Sequence, residues 1–283
     1  MTEAAATEFR FDAVQLKALA SGRAQAYQAA SPFPHVVLDD FLPTGLAEQC
    51  AAEFPGPEAG WDFYADGGNT KKFATSDEAL MGPLTRQLVA AFNSRPMIEF
   101  LEELTGITGL VTDPQLLGGG LHQLNPGGFL NVHADFNVHP HLKLDRRINV
   151  LLYVNPNWQE EWAGHLELWN EDMSVCAQRI APVANRVVIF NTTSTAFHGN
   201  PEPVACPDGN ARRSLAFYYY TIGRPEEERA AAHTTLYQEP GKGLTEAGGN
   251  GAAAPRPSKL KAGLRRVLPP IVVDGAKRLR RRA

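Results

Sequence analysis

Cysteine is scarce in this chain: 283 residues hold three, Cys50, Cys176 and Cys206, scattered and without a CxxC spacing. An odd, dispersed set argues against a disulfide framework or a zinc–thiolate cluster and suits a reducing, cytoplasmic setting. No apolar run approaches the roughly 18 residues of a membrane-spanning helix, so none is expected. The opening Met1-Thr2-Glu3-Ala4 has no basic stretch followed by an apolar one, so no secretory signal is expected either. There is no GxSxG elbow, no Walker phosphate loop, no RNP-like aromatic run and no internal repeat. Asn125-Pro126-Gly127-Gly128 reads as a turn with no phosphate-binding context.

Charge is unevenly spread. Residues 256–283 carry ten Lys or Arg against the single acid Asp274, a tail of +9 in a chain of net −4, which leaves −13 on the remainder. An acidic body is not a nucleic-acid surface, and no specific nucleic-acid partner is expected. The basic tail suits an anionic membrane surface or an acidic partner, or simply a solvated terminus.

Periodicity divides the rest. Residues 1–30 read as a helix with Phe11, Val14, Leu16 and Leu19 on one side, broken at Ser31-Pro32-Phe33-Pro34. A strand over His35–Leu42 and a helix from Pro43 to Phe54 follow, then a Gly- and Asp-rich stretch over 55–80 expected to be a long irregular loop of the lid or binding kind. Helical spacing returns from Pro83 to Leu104 and ends at Gly106. Beyond it come short β-branched and aromatic runs: Gly120–Leu124, Phe129–His133, Ile148–Val154, His165–Trp169, Gln178–Pro182, Arg186–Asn191 and Arg213–Thr221. About seven or eight strands in roughly 100 residues predict an all-β sandwich or barrel. The fold class expected is therefore α+β with a mainly β core and N-terminal helices packed on it. Residues 31–224 form the domain, 225–255 a linker and 256–283 the tail.

The chemistry gathers at His133-Ala134-Asp135. Residues i and i+2 of an extended segment face the same way, so both can reach one metal from a strand end. His198, 65 residues downstream and just after the apolar run Val187-Val188-Ile189-Phe190, supplies a third ligand from a neighbouring strand. Two imidazoles and one carboxylate with open positions are the facial triad of non-haem Fe(II) oxygenases. An HxD alone is common; the downstream histidine and the pair Arg212-Arg213, which opens a strand-like run, make it specific.

Residues 118–221 resemble the double-stranded β-helix (jelly-roll, cupin-like) core of the 2-oxoglutarate- and Fe(II)-dependent dioxygenases, in the prolyl 4-hydroxylase-like branch. The resemblance is carried by Asn131–Phe136, Arg146–Asn155, Trp162–Trp169, Asn185–Phe190, His198-Gly199 and Arg212–Leu215, and Pro32–Phe41 resembles the usual start of the bacterial proteins. It implies Fe(II) held by His133, Asp135 and His198, 2-oxoglutarate and O2 as co-substrates, and ascorbate as an accessory. It implies further that Arg212 pairs with the far carboxylate of 2-oxoglutarate, with Ser214 two residues on along the same face. Arg213 is the runner-up, sent outward by alternation; a guanidinium suits the carboxylate because it forks onto it. Tyr153 sits where relatives place a tyrosine on that carboxylate, and Asn149 and Leu151 share its face. One departure is Ala163-Gly164 where the family carries Gly-Gly, which costs little unless Ala163 has a positive φ.

Hydroxylation of a prolyl, amino-acid or peptide substrate is the activity implied. A saccharide or lipid-linked small molecule, or a non-catalytic cupin-like binding module, are the alternatives. His139 and His141 are expected in a solvated loop over the site, His122 and His165 in strands with packing roles, and His233 outside the core.

Overall fold

A computed structural model describes residues 8–65, 69–238 and 244–246. The basic tail 256–283, the first seven residues and the remainder of the expected linker lie outside the described residues. No helix among the described residues is long and apolar enough to cross a membrane.

The helices come first. α1 (Ala13–Gln28) starts where Asp12 accepts from the backbone N–H groups of Val14 and Gln15. It buries Leu16, Ala20 and Tyr27, whereas Val14, expected inward, is 79% exposed. Its apolar stripe is weak, so the partner helix, not periodicity, decides which side is buried. After β1 (His35–Leu38) and α2 (Leu46–Ala52), two further helices follow, α3 (Pro83–Phe92) and α4 (Arg95–Thr105). Both begin with proline in the first turn, which needs no N–H partner there. The Glu53 carboxylate accepts from the N–H groups of Leu84 and Thr85 and so caps α3. Gly106, at φ +75°, ends α4.

Thirteen strands form one curled antiparallel sheet among the described residues, the double-stranded β-helix architecture. Its remaining strands are β2 (Asp62–Tyr64), β3 (Asn69–Thr75), β4 (Val111–Thr112), β5 (Gly120–Ala134), β6 (Asp145–Tyr153), β7 (Leu166–Trp169), β8 (Cys176–Ile180), β9 (Arg186–Asn191), β10 (His198–Asn200), β11 (Arg212–Thr221), β12 (Leu236–Gln238) and β13 (Leu244–Glu246). The central order is β1-β9-β6-β11-β5-β10-β7-β8. The convex face packs on the helices: Ile148, Val150, Leu152, Leu215, Phe217 and Tyr219 share one core with Leu88, Phe92, Phe100 and Leu104.

Three expectations need correction. The 55–80 stretch is not an irregular loop: β2 and β3 form a hairpin, and β3 pairs along β5 from Asn69↔Leu130 to Thr75↔Leu121. Its polar residues form a strand because the neighbouring β5 edge offers hydrogen bonds. The turn expected at Asn125–Gly128 is a bend within the continuous strand β5. The register with β3 shifts there, and Gly127 and Gly128 exchange backbone bonds with Val204. The segment from 225 is not all linker: β12 pairs with β5, Leu236↔Ala134 and Tyr237↔His133, and β13 pairs with β12.

Candidate active site

The site is assembled on the concave face, where β5 and β10 lie side by side. His198 of β10 is in register with His133 of β5. Gly199 allows this approach, because a Cβ there would meet the carbonyl oxygens of Asn131 and Leu130 at 2.8 and 2.9 Å. His133, Asp135 and His198 each offer a ligand atom, all within 4.8 Å of one another. The Nε2 of His133 lies 3.6 Å from Asp135 Oδ1, and that of His198 3.4 Å from Oδ2. Each imidazole turns its other nitrogen to the carbonyl two residues back: His133 Nδ1 to Asn131 at 2.8 Å and His198 Nδ1 to Ala196 at 3.0 Å. An Nδ1–H donated to a carbonyl leaves Nε2 as a lone-pair donor toward the shared centre. Burial pulls His198 down to about 4, so it is neutral and ready to ligate. Burial by itself would raise Asp135, but Arg146 and the two histidines outweigh it and hold the carboxyl well below the usual range. Two imidazoles and one ionised carboxylate, converging and nearly dry, are a donor set that fits Fe(II).

Behind the carboxylate stands a residue that motif reading did not assign. Arg146 is 1% exposed and donates from Nη2 to Asp135 Oδ2 at 2.9 Å. It also donates to Asn149 Oδ1, and Asn149 Nδ2 donates to Asp135 Oδ2 at 2.7 Å. Asn149, expected beside the co-substrate, is thus committed to Asp135 and Arg146. The guanidinium lies over the rings of Tyr218 (3.5 Å) and Phe136 (4.5 Å). Strict alternation along β6 would put Arg147, not Arg146, on the face of Asn149. A bulge intervenes: Tyr219 pairs with Ile148 but Tyr220 with Arg146, so Arg146 is aimed inward.

Deeper along the sheet, Arg212, Ser214 and Tyr153 share the concave face, Ser214 being in register with Tyr153. Arg212 donates from Nη2 to the Tyr153 hydroxyl at 3.1 Å and from Nε to the Gly164 carbonyl at 2.6 Å. Gly164 has φ +66°, and a Cβ on it would meet Arg212 Cδ at 3.1 Å, so only glycine lets the backbone clasp the guanidinium. Ala163 before it stands at φ +53°, the strained case. Arg213 points the other way, to Gln123 and over the Phe54 ring.

The other histidines are structural. His139 is fully buried rather than solvated: its Nδ1 accepts from the N–H groups of His141 and Leu142, and its Nε2 faces Asp113. His141 remains exposed. His165 pairs with Glu160. His122 lies on the concave strand β5 against the Gly118 carbonyl. His233 is brought to the site's rim, where its N–H donates to Asn137 Oδ1 and its ring meets Ser194. Just beyond it Tyr237 reaches the ring of His133, centroids 5.4 Å apart, and its hydroxyl accepts from Asn69. Nothing in local sequence marks Tyr237; it arrives by strand pairing.

Residues 119–220 match the family model described as the 2OG-Fe(II) oxygenase superfamily. No curated protein sequence matches the chain. Among solved structures, a prolyl hydroxylase from Trichoplax adhaerens, in complex with a hypoxia-inducible-factor oxygen degradation domain peptide, aligns at 16% identity. It covers 73% of this chain and 91% of its own, with a TM-score of 0.53. A prolyl 4-hydroxylase from Phytophthora capsici aligns at 18% identity over 78% of this chain and 70% of its own, TM-score 0.52. A Pseudomonas putida prolyl-4-hydroxylase aligns at 19% over 72% and 99%, TM-score 0.49. The site-bearing core of the chain thus matches the 2OG-Fe(II) oxygenase superfamily model over residues 119–220, and the chain shares the prolyl hydroxylase fold over most of its length.

Proposed function

We propose that this enzyme hydroxylates an unactivated C–H of a prolyl, amino-acid or peptide substrate, with His133, Asp135 and His198 holding the iron. The observation that carries the ligand assignment is the convergence of two imidazole Nε2 atoms on one ionised, buried carboxylate. Arg146 and Asn149 keep that carboxylate charged and oriented. Arg212, with the Tyr153 hydroxyl beside it and Ser214 in the same row, receives the far carboxylate of 2-oxoglutarate as a forked, charge-assisted pair. The concave wall of Leu151, Val188 and Phe190 excludes water between anchor and metal. When bound, Fe(II) couples the oxidative decarboxylation of 2-oxoglutarate to succinate and CO2 with insertion of one O2-derived oxygen into the substrate C–H.

The test is spectroscopic. Loaded anaerobically with Fe(II) and 2-oxoglutarate, the protein is expected to show a visible charge-transfer band, absent in Asp135→Ala. A band that survives in the variant sinks the ligand assignment. Aerobic succinate release across prolyl peptides and amino acids, with the same variant as control, then tests the substrate class.

A further inference from the structure

Among the described residues, the concave face holds one cation that the reaction described above does not use. Lys72 of β3 is in register with Leu124 of β5, which is in register with Arg212 of β11. Residues paired in this way point to one face, so Lys72 and Arg212 flank the same strip of the cleft, about 10 Å apart at the backbone, two strand spacings. Lys71, its neighbour in sequence, points away and donates to the Pro126 carbonyl. The Lys72 ammonium lies 5.5 Å from the centroid of the Tyr64 ring, and among the described residues it makes neither a hydrogen bond nor an ion pair.

Its charge is also uncompensated. The charged groups that act on Lys72 are Asp135, Arg146 and Arg212, two of the three positive. Asp135 is already matched by Arg146. Fe(II), 2-oxoglutarate and Asp135 together carry a single net negative charge, which Arg146 and Arg212 more than offset. His122, in the same row of the face as Ser214, adds no negative charge. Burial and Lys72 hold it at about 3, so it is neutral. Burial likewise lowers Lys72 to about 8, leaving it mostly charged near neutrality. A half-buried ammonium without a counter-ion is a standing cost that an incoming anion removes.

We propose that Lys72 pairs with a carboxylate or phosphate of the primary substrate, so that the molecule brought to the iron is a small anion, such as a free amino or imino acid, rather than a prolyl residue in mid-chain. This rests on the oxygenase reading, and the test separates the two. The anaerobic Fe(II)·2-oxoglutarate enzyme is titrated calorimetrically with N-acetyl-L-proline and its amide, and with methyl phosphate and neutral trimethyl phosphate. One of the anions is expected to bind at least about tenfold tighter than its neutral counterpart. The pair that shows it identifies carboxylate or phosphate. Lys72→Met is expected to erase the difference with the 2-oxoglutarate band intact, and Lys72→Arg to restore much of it. Equal or absent binding of anion and neutral partner overturns the inference, as does a preference that survives Lys72→Met. Loss of the band in Lys72→Met moves the lysine to the co-substrate and also overturns it. A wild-type protein with no band sinks the oxygenase reading, and this inference with it.

Discussion

The two faces of the sheet are built from the same strands and do opposite work. On β6, Ile148, Val150 and Leu152 enter the core against the helices, while Asn149, Leu151 and Tyr153 face the cleft. On β11, Leu215, Phe217 and Tyr219 go to the helices, and Arg212, Ser214 and Tyr218 to the cleft. The convex side is closed by apolar contacts, such as Phe217 stacked on Phe92 with centroids 4.4 Å apart. The concave side is nearly as buried, yet is held by charge-assisted hydrogen bonds among Asp135, Arg146 and Asn149. Within each strand, core contacts therefore fall on one set of alternate residues and the candidate site on the other, and substitutions of neighbouring residues are expected to separate the two properties.

Phe217→Ala should show the largest effect. Truncating a fully buried aromatic costs about 3–5 kcal/mol, so a large fall in the urea midpoint is expected while the folded protein keeps its 2-oxoglutarate affinity. A variant that lost affinity in proportion would break the division between faces. Arg212→Ala against Arg213→Ala comes next. Loss of a charge-assisted pair worth about 1.5–3 kcal/mol predicts a rise of roughly 10- to 150-fold in the 2-oxoglutarate dissociation constant for Arg212→Ala. Arg213→Ala, on the helix side, should change it by no more than about twofold. The reverse order would move the anchor by one residue.

Acid should act on the concave face alone. In metal-free protein His198 is lowered from 6.5 to about 4, mainly by burial. The unfolded chain takes up that proton first, so the stability is fully present above about 6.5 and is lost as pH falls toward 4. The loss amounts to about 2 kcal/mol by pH 5. Asp135 is shifted the same way from 3.8, and its contribution goes at still lower pH. Urea unfolding at pH 7 and pH 5 checks this: His198→Phe should reduce the difference, leaving the share of His122, which burial likewise lowers, to about 3. The smallest effect is Ala163→Gly. Relief of a φ of +53° should raise stability by about 1 kcal/mol, net of glycine's added unfolded-state entropy. A destabilised variant would show that Ala163 is not strained.

Much of the site was legible because strand geometry has a period of two. His133 and Asp135 are two apart, as are Arg212 and Ser214, and alternation also sends Arg213 to the other face. The helical stretch after residue 80 was legible through Pro83 and Gly106, but not its division into α3 and α4. Parity was harder to read in Val150-Leu151-Leu152-Tyr153-Val154, because a strand buried on both faces is apolar at every position. Parity misled at Arg146, where a bulge breaks it.

By itself, then, the chain's order of residues determined the metal-binding donor types, their i, i+2 placement and the arginine that follows, since these depend only on local backbone geometry and side-chain chemistry. Tertiary structure decided which residues surround them. The β2–β3 hairpin brings Lys72 and Asn69 to β5, β12 lays Tyr237 on His133, and the shifted register turns Arg146 beneath Asp135. Each arrival depends on hydrogen bonds offered by a strand far away in the chain, and no local pattern encodes a distant edge.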